Sequence, residues 1–304
     1  MLDDAGTTRD PRGVEGIVTA RLSPTVRRRR LGVELRRLRE EAGLTIEQVA
    51  KKLECSDSKV SRIETGQVGA MPRDVRDMLE LYGVGGEQRD ALIQIAREAR
   101  LRGWWHAYGD VPVVPPYIGL EVAAATINVY GALLVPGLLQ TRQYAAAVQR
   151  AVHPDLPAEQ IERRVELRVA RQSILDGDDP PELWTILDEA VLRRPVGGPT
   201  IMVEQFRHLV GMAGRPKVTI QVLPFTVGAH TGVDGPFTIL GFSTPTDPDV
   251  VHLEHTMGDL YLERPEEITR YALAFRGLRD AALRPDASAA FLTDLLKGSP
   301  RLAW

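Results

Sequence analysis

The chain contains 304 residues, of which 43% are hydrophobic and 26% charged, a composition typical of a globular protein with about two domains. It has no run of about 18 apolar residues and no apolar stretch near its acidic N-terminus, so we expect neither a membrane span nor a secretory signal. The single cysteine, Cys55, excludes a disulfide framework and a multi-cysteine zinc site, and these features together favour a cytoplasmic protein.

Positive charge is concentrated near the N-terminus, although the formal net charge is −3. Between Arg21 and Arg62 there are 12 Lys and Arg residues against 6 Asp and Glu residues, so the rest of the chain is acidic. Such a block favours an anionic partner for one small region. A solvated helix face rich in arginine is the alternative interpretation.

The N-terminal part of the chain predicts a tail followed by short helices. Residues 1–26 show little periodicity and are typical of a flexible tail, whereas residues 27–100 predict a compact domain of five helices. The first helix carries an apolar stripe and ends at Gly43. That stripe consists of Leu31, Leu35, Leu38 and Ala42.

Capping patterns place the other four helices of this domain. Thr45 and Gln48 form a capping box that begins the second helix, and Ser56 is a favourable N-cap for the third. Pro72 begins the fourth helix, and the fifth covers residues 87–99.

The remaining sequence predicts a linker and a larger domain with both helices and strands. Residues 101–118, rich in Trp and Pro, are typical of a linker, and residues 119–304 form the second domain. Helical patterns cover 119–130, 141–152, 159–175, 202–213 and 265–283. Strand patterns cover 183–187, 218–223, 237–242 and 250–253. The expected fold class is a mainly α five-helix N-terminal domain followed by a mixed α+β C-terminal domain.

The second and third helices are joined by the tight connection Glu54-Cys55-Ser56. In this arrangement the second helix can brace the third, which is narrow enough to enter a DNA major groove. The unit resembles the lambda-repressor-like helix-turn-helix family of the xenobiotic-response-element type, over about 70 residues. The matching segments are Leu35-Arg36-Arg37-Leu38-Arg39, Gly43-Leu44-Thr45, Gln48-Val49-Ala50 and the stretch from Ser56 to Gly66.

The resemblance implies that Asp57, Ser58 and Arg62 face base edges. Arg62 suits a bidentate contact to guanine, and Ser58 can hydrogen-bond any base. Asp57 departs from the amide side chain that is usual at its position. It either accepts a hydrogen bond from a cytosine amino group or stabilises the helix N-terminus, and we favour the second interpretation.

Contacts to the DNA backbone are expected around these positions. The other members of the predicted DNA-contacting set on the second and third helices are Thr45, Ser56, Lys59 and Ser61. The run of arginines at 27–30, with Arg28 and Arg29 at its centre, is expected to precede the first helix and to contact phosphates. A solvated arginine run at a domain edge is the alternative.

Arg39 and Glu64 have a different implied role. The resemblance implies an ion pair between them that links the first helix to the third. Loss of one partner would leave a partly buried charge without compensation, so both residues are interpreted as structural.

The larger domain lacks the common catalytic motifs. It has no Gly-x-Ser-x-Gly elbow, Walker phosphate loop or Gly-x-Gly-x-x-Gly after a strand. One candidate metal site consists of His230, His252, Glu254, His255 and Asp259. On a strand, however, His252 and Glu254 share a face while His255 points away. Ordinary packing is favoured, so we expect no enzyme activity, no metal and no cofactor.

Several segments of the larger domain resemble the uncharacterised domain of actinobacterial Scr-type antitoxin-like transcriptional regulators, over about residues 104–290. These segments are Gly119-Leu120-Glu121, the stretch from Leu134 to Tyr144, Val222-Leu223-Pro224-Phe225 and Gly235-Pro236-Phe237. The resemblance implies a small companion protein as a partner. From the residues alone, the stretch from Pro136 to Thr141 is a turn followed by a capped helix.

Together these patterns predict a sequence-specific transcriptional regulator that binds double-stranded DNA as a homodimer. Its C-terminal domain is expected to sense a partner protein or a ligand. One alternative is an antitoxin-like protein that mainly binds a small companion protein and regulates its own synthesis. The other is an enzyme with an attached DNA-binding domain.

Overall fold

The computed structural model describes residues 23–101, 103–109, 111, 115–243, 247–255 and 258–298. Five helices form the N-terminal part of this region. They are α1 (Pro24–Glu41), α2 (Ile46–Lys52), α3 (Asp57–Glu64), α4 (Pro72–Leu81) and α5 (Gly86–Glu98). The predicted caps are confirmed: Thr45 and Gln48 form a capping box, Ser56 caps α3, and Pro72 begins α4.

The start of α1 corrects one sequence-based expectation. The Ser23 hydroxyl accepts a hydrogen bond from the Val26 amide, and Pro24 occupies the first helical position, so the helix begins before the arginine run. The expectation that residues 27–30 precede the first helix is therefore wrong. Of the predicted tail 1–26, residues 1–22 lie outside the described residues.

Helix α1 packs closely against the end of α3. A Cβ atom at Gly32 would lie 2.5 Å from the Ile63 carbonyl oxygen and 2.6 Å from the Glu64 carbonyl oxygen. These are backbone atoms, so only a residue without a side chain fits between the two helices. The apolar residues around this contact, including Leu35 and Val60, are fully buried.

A buried ion pair joins the same two helices. Arg39 Nε lies 2.7 Å from Glu64 Oε1, and Arg39 Nη2 lies 2.9 Å from Glu64 Oε2. The third guanidinium nitrogen donates to the Leu44 carbonyl oxygen at 2.8 Å, in the turn before α2. The hydrogen bond to Glu64 raises the pKa of Arg39. One side chain therefore ties α1 to α3 and to the start of α2.

The C-terminal part contains six strands and further helices. Its strands are β1 (Thr126–Gly131), β2 (Glu182–Asp188), β3 (Val218–Leu223), β4 (Phe237–Gly241), β5 (Val250–His255) and β6 (Gly258–Leu262). Its helices are α6 (Pro115–Ala123), α7 (Arg142–Val152), α8 (Ala158–Arg171), α9 (Glu189–Arg193), α10 (Pro199–Ala213), α11 (Pro265–Ala281) and α12 (Pro285–Gly298). Short 3-10 helices cover Trp104–Tyr108, Gly137–Leu139, Gln172–Leu175 and Phe225–Val227.

The six strands form one mixed sheet in the order β3-β2-β1-β4-β5-β6. The pairs β1–β2 and β2–β3 are parallel, whereas β4, β5 and β6 each pair antiparallel with the preceding strand of that order. Apolar residues of α7, α10 and α12 cover one face, and α11 covers the other with Phe275 and Leu278. The predicted fold class, a mainly α domain followed by a mixed α+β domain, is confirmed.

Strand β1 corrects the predicted helix at 119–130. The helix ends at Ala123, and residues 126–131 form a central strand paired on both sides. The run Val122-Ala123-Ala124-Ala125 leads into the strand without a Gly or Pro turn signal, and the alternation of Ile127 and Val129 is too short to distinguish a strand from the end of a helix. Strand β6 and helix α12 were not predicted. Among the described residues, no helix combines the length and hydropathy needed to cross a bilayer.

The first turn of α1 packs in the core of the C-terminal part. Val26 is buried in one cluster with Leu120 and Ala123 of α6, and a Cβ atom added at Gly119 would lie 2.1 Å from the Thr25 hydroxyl oxygen. Arg29 adds an ion pair to Glu263, with 2.7 Å between nitrogen and oxygen. Helix α1 therefore contributes to both parts of the structure.

The close contact at Gly32 generates a prediction. We expect Gly32→Ala to destabilise the protein by about 1–3 kcal/mol, because the added methyl group would push α1 away from the α3 backbone. Gly211→Ala is the matched control, since Gly211 also lies in a helix and its Cβ position has no atom within 4 Å. It should be neutral or stabilising by up to about 1 kcal/mol. Calorimetric melting of both variants provides the measurement. Equal changes in stability would contradict the close packing of α1 on α3 at Gly32.

The Arg39–Glu64 pair generates a second prediction. Arg39→Met and Glu64→Gln should each lower the free energy of unfolding by up to about 3–5 kcal/mol, because each leaves a buried charge without its partner. The double variant should lose less than the sum of the two single losses. Urea unfolding followed by circular dichroism measures these values. Single variants within about 0.5 kcal/mol of the wild type would show that the pair is dispensable.

Candidate nucleic-acid interface

Helices α2 and α3 are held in place by buried residues on one side and by caps at their starts. Val49 of α2 and Val60 of α3 are fully buried. The Ser56 hydroxyl accepts a hydrogen bond from the Lys59 amide at 3.2 Å, and the turn between the helices places Glu54 at a φ of 50°. The outer face of α3 is therefore presented on a fixed frame.

The outer face of α3 carries the three residues predicted to face base edges. Asp57, Ser58 and Arg62 are all exposed, and Ser61 is half-buried. Ser58 and Arg62 are four residues apart, so they lie on the same face of the helix. Arg62 forms no ion pair within the part of the chain that the structure describes. Its guanidinium, with a rigid fork of donors, is free to reach a guanine edge.

Two further predicted contacts lie at the starts of α2 and α3. Thr45 and Ser56 are exposed, and each caps its helix through its hydroxyl group. The N–H groups in the first turn of a helix point out of its N-terminal end, which suits them to phosphate contacts. Asp57 occupies the first position of α3, where a carboxylate is favoured by the helix dipole.

Lys59 is placed differently from the expectation. Its Nζ atom lies 2.6 Å from Asp74 Oδ2, near the start of α4. Asp74 is nearly buried, whereas Lys59 remains half-exposed. The lysine therefore links α3 to α4, and a phosphate would have to compete with this carboxylate.

Arg28 and Arg29 are directed toward the protein instead of forming an exposed run. The Arg29 side chain is 15% exposed and pairs with Glu263. Arg28 is half-buried, its Nη2 atom lies 3.5 Å from the Thr25 hydroxyl oxygen, and burial lowers its pKa. Their placement in α1 explains this difference, because a helix that packs on both parts of the protein turns these side chains inward. A phosphate would have to compete with these intramolecular contacts, and the phosphate-contacting role of the two arginines stays a prediction.

Four members of the candidate metal cluster lie on β5 and β6, whereas His230 lies before β4, with its Nε2 atom 3.8 Å from Asp188 Oδ2. His252 is buried between the rings of Tyr117 and Tyr261, and its Nε2 atom lies 3.3 Å from Asp259 Oδ1. Burial lowers the pKa of His252, and Asp259 opposes that shift. Glu254 and His255 are exposed at the end of β5.

Sequence reasoning missed an arginine-rich cavity beside this histidine. The cavity has a volume of about 460 Å³ and is lined by Arg164, Arg168 and Arg171 of α8. Arg171 forms a bidentate ion pair with Glu121 at 2.7 and 2.8 Å. The spacing of these arginines places them on one face of α8, which was a usable signal. Without the fold, however, nothing distinguished that face from an ordinary charged helix surface.

Comparison with known proteins assigns both parts of the chain. Residues 30–92 match the model of a helix-turn-helix domain, the domain class of many DNA-binding regulators. The chain matches no curated protein and no solved structure. Residues 114–294 match the model of the domain of unknown function DUF5753. Because this second match covers more than half of the chain, the protein belongs to the family that carries this domain.

Proposed function

We propose that this protein is a sequence-specific DNA-binding transcriptional regulator that reads its site with α3. The observation that carries the proposal is the exposed polar face of α3 within a helix-turn-helix domain. Ser58 and Arg62 lie on this face, while the opposite face of the helix is buried. An α-helix with its side chains fits the major groove, which is about 12 Å wide. Ser58 and Arg62 contact base edges, Asp57 lies beside them and stabilises the start of α3, and the capped starts of α2 and α3 contact phosphates.

We propose that the C-terminal part senses a partner protein or a ligand. Helix α1 supports this role, because it packs both on α3 through Gly32 and on α6 through Thr25. A displacement of α6 would therefore be transmitted through α1 to α3, the helix proposed to read DNA. The companion protein implied by the Scr-type resemblance is one partner that this role accommodates.

We further propose that two copies bind together. Helix α3 has 8 residues, so one copy contacts only a few base pairs. Two linked copies raise the effective concentration of the second half-site and thus the affinity for paired sites.

The role of Arg62 generates a prediction about base reading. Arg62→Ala should weaken binding to the selected operator by about 1–3 kcal/mol and relax the preference at one base pair, because the bidentate guanine contact is lost. Arg62→Lys keeps the charge but not the fork of donors, so it should retain affinity for random DNA while losing the discrimination. Titrations of operator and scrambled duplexes at several salt concentrations measure both effects.

A matched control separates this effect from a simple loss of charge. Arg97 is an exposed arginine on α5, and Arg97→Ala removes the same charge from a different helix. It should leave the preference between operator and scrambled duplex unchanged. Equal losses on both duplexes for Arg62→Ala would make Arg62 a phosphate contact and contradict the proposed reading face.

The paired-copy proposal generates a prediction about operator geometry. Operators selected from random duplexes should contain two half-sites about 10 bp apart, or a multiple of that distance, because both copies of α3 must face the same side of the duplex. Analytical ultracentrifugation with DNA should then show two protein copies per duplex. Equally tight binding to single and paired half-sites would contradict it.

A further inference from the structure

The cavity in the C-terminal part is bounded by polar and apolar walls. The segment that the sequence singled out, from Leu134 to Gln140, forms one side, and α8 forms another. Tyr117 of α6 and Thr238 of β4 contribute to its lining. Its volume of about 460 Å³ lies within the range of pockets that hold small organic ligands.

Two of the cavity's cationic groups lack a carboxylate partner. Arg168 Nη1 donates to the Gln140 side-chain oxygen at 3.1 Å, and neither Arg168 nor Arg164 forms an ion pair with any described residue. Burial and the neighbouring Arg171 lower the pKa of Arg168 to about 10. His153 lies close to both arginines, and burial together with their charges lowers its pKa. An anion placed here would compensate desolvated positive charge.

The other charged groups of the cavity are already compensated or lie at its edge. Arg171 is paired with Glu121, and the Asp259 carboxylate lies 3.3 Å from His252. Glu254 also lines the cavity and opposes the lowering of the Arg168 pKa, but it forms no ion pair with a described residue and is exposed at the end of β5. The two arginines at positions 164 and 168 therefore dominate the charge that a ligand would meet inside.

The position of Arg168 is fixed by the segment opposite it. Gln140 accepts from Arg168 while its own side-chain amide donates to the Val135 carbonyl oxygen at 2.6 Å. Gln172 donates to the carbonyl oxygens of Gly137 and Gln140 at 2.9 and 2.7 Å. This network holds the guanidinium in one orientation before any ligand arrives, which lowers the entropic cost of binding.

Much of the remaining lining is apolar. It includes Ile127, Leu134, Val135, Leu138, Val148 and Val152. A ligand that fits both walls therefore has an apolar body of several carbon atoms and one anionic group.

We infer that this cavity binds a small organic carboxylate with an apolar body, and that Arg168 receives its carboxylate. Ligand binding in the cavity would specify the sensing role proposed above. Only the effect of the ligand on DNA binding rests on that role. The cavity wall includes Tyr117 and Ile118 of α6, next to Gly119, which contacts Thr25 of α1. A ligand in the cavity would therefore contact α6, which packs against α1, the helix that holds α3.

The binding test uses octanoate and 4-phenylbutyrate, with 1-octanol and 4-phenylbutanol as uncharged counterparts. Calorimetric titration of the full chain should give saturable binding of both acids below about 5 mM, and about tenfold or more weaker binding of the alcohols. Arg168→Met should weaken binding of the acids by about ten- to a hundredfold and leave the alcohols unchanged. Arg150→Gln is the charge-matched control, because Arg150 is exposed on α7 outside the cavity lining. It should bind the acids as the wild type does.

Several results would overturn the inference. These are no saturable binding of either acid, equal affinity for acids and alcohols, or unchanged acid binding by Arg168→Met. If Arg168→Met fails to fold, Arg164→Gln replaces it, since this half-buried cavity residue should also weaken acid binding severalfold.

A second arm separates the site from the sensing role. Saturating octanoate should change operator affinity of the wild type by about fivefold or more, and should have no effect on Arg168→Met. An acid that binds in the first arm but leaves operator affinity unchanged would support the cavity site and overturn the sensing role.

Discussion

The structure depends on α1 being packed into two cores at once. Its first turn, with Val26, is buried among residues of α6 and the mixed sheet, and its later turns hold α3 through Gly32 and the ion pair from Arg39 to Glu64. A buried pair of this kind contributes specificity of arrangement, because α3 cannot rotate or slide without separating the charges. The DNA-reading face and the cavity wall are therefore attached to the same rigid element.

This arrangement determines how the positive charge is used. A run of four arginines in a sequence suggests a surface for phosphates, but helix α1 directs Arg29 to Glu263 and half-buries Arg28. On α2 and α3, the exposed cations that form no ion pair with any described residue are Lys51, Lys52 and Arg62. The excess of cations counted along the chain thus overstates the charge that the interface offers, since ion pairs within the protein neutralise part of it.

The sequence predicted best those elements whose formation depends on neighbouring residues in the chain. Caps at Thr45, Ser56 and Pro72 depend on neighbouring residues, so the N-terminal helices were placed correctly. Strand β1 depends on two partner strands, and its short alternation at Ile127 and Val129 follows an alanine-rich run, so the local pattern predicted a helix there. The cavity forms where α6, α8 and the 134–140 segment lie close together in the fold. No local sequence pattern predicts contacts between segments so far apart in the chain.

The most direct test of the account is chemical protection of a selected operator by the full-length protein. Guanine N7 lies in the major groove and adenine N3 in the minor groove, so methylation by dimethyl sulfate reports the two grooves separately. The account predicts that bound protein protects guanine N7 at the base pair that Arg62 reads, without matching protection of adenine N3 there. Protection confined to adenine N3, or protection that is the same on scrambled duplexes, would contradict reading of the major groove by α3.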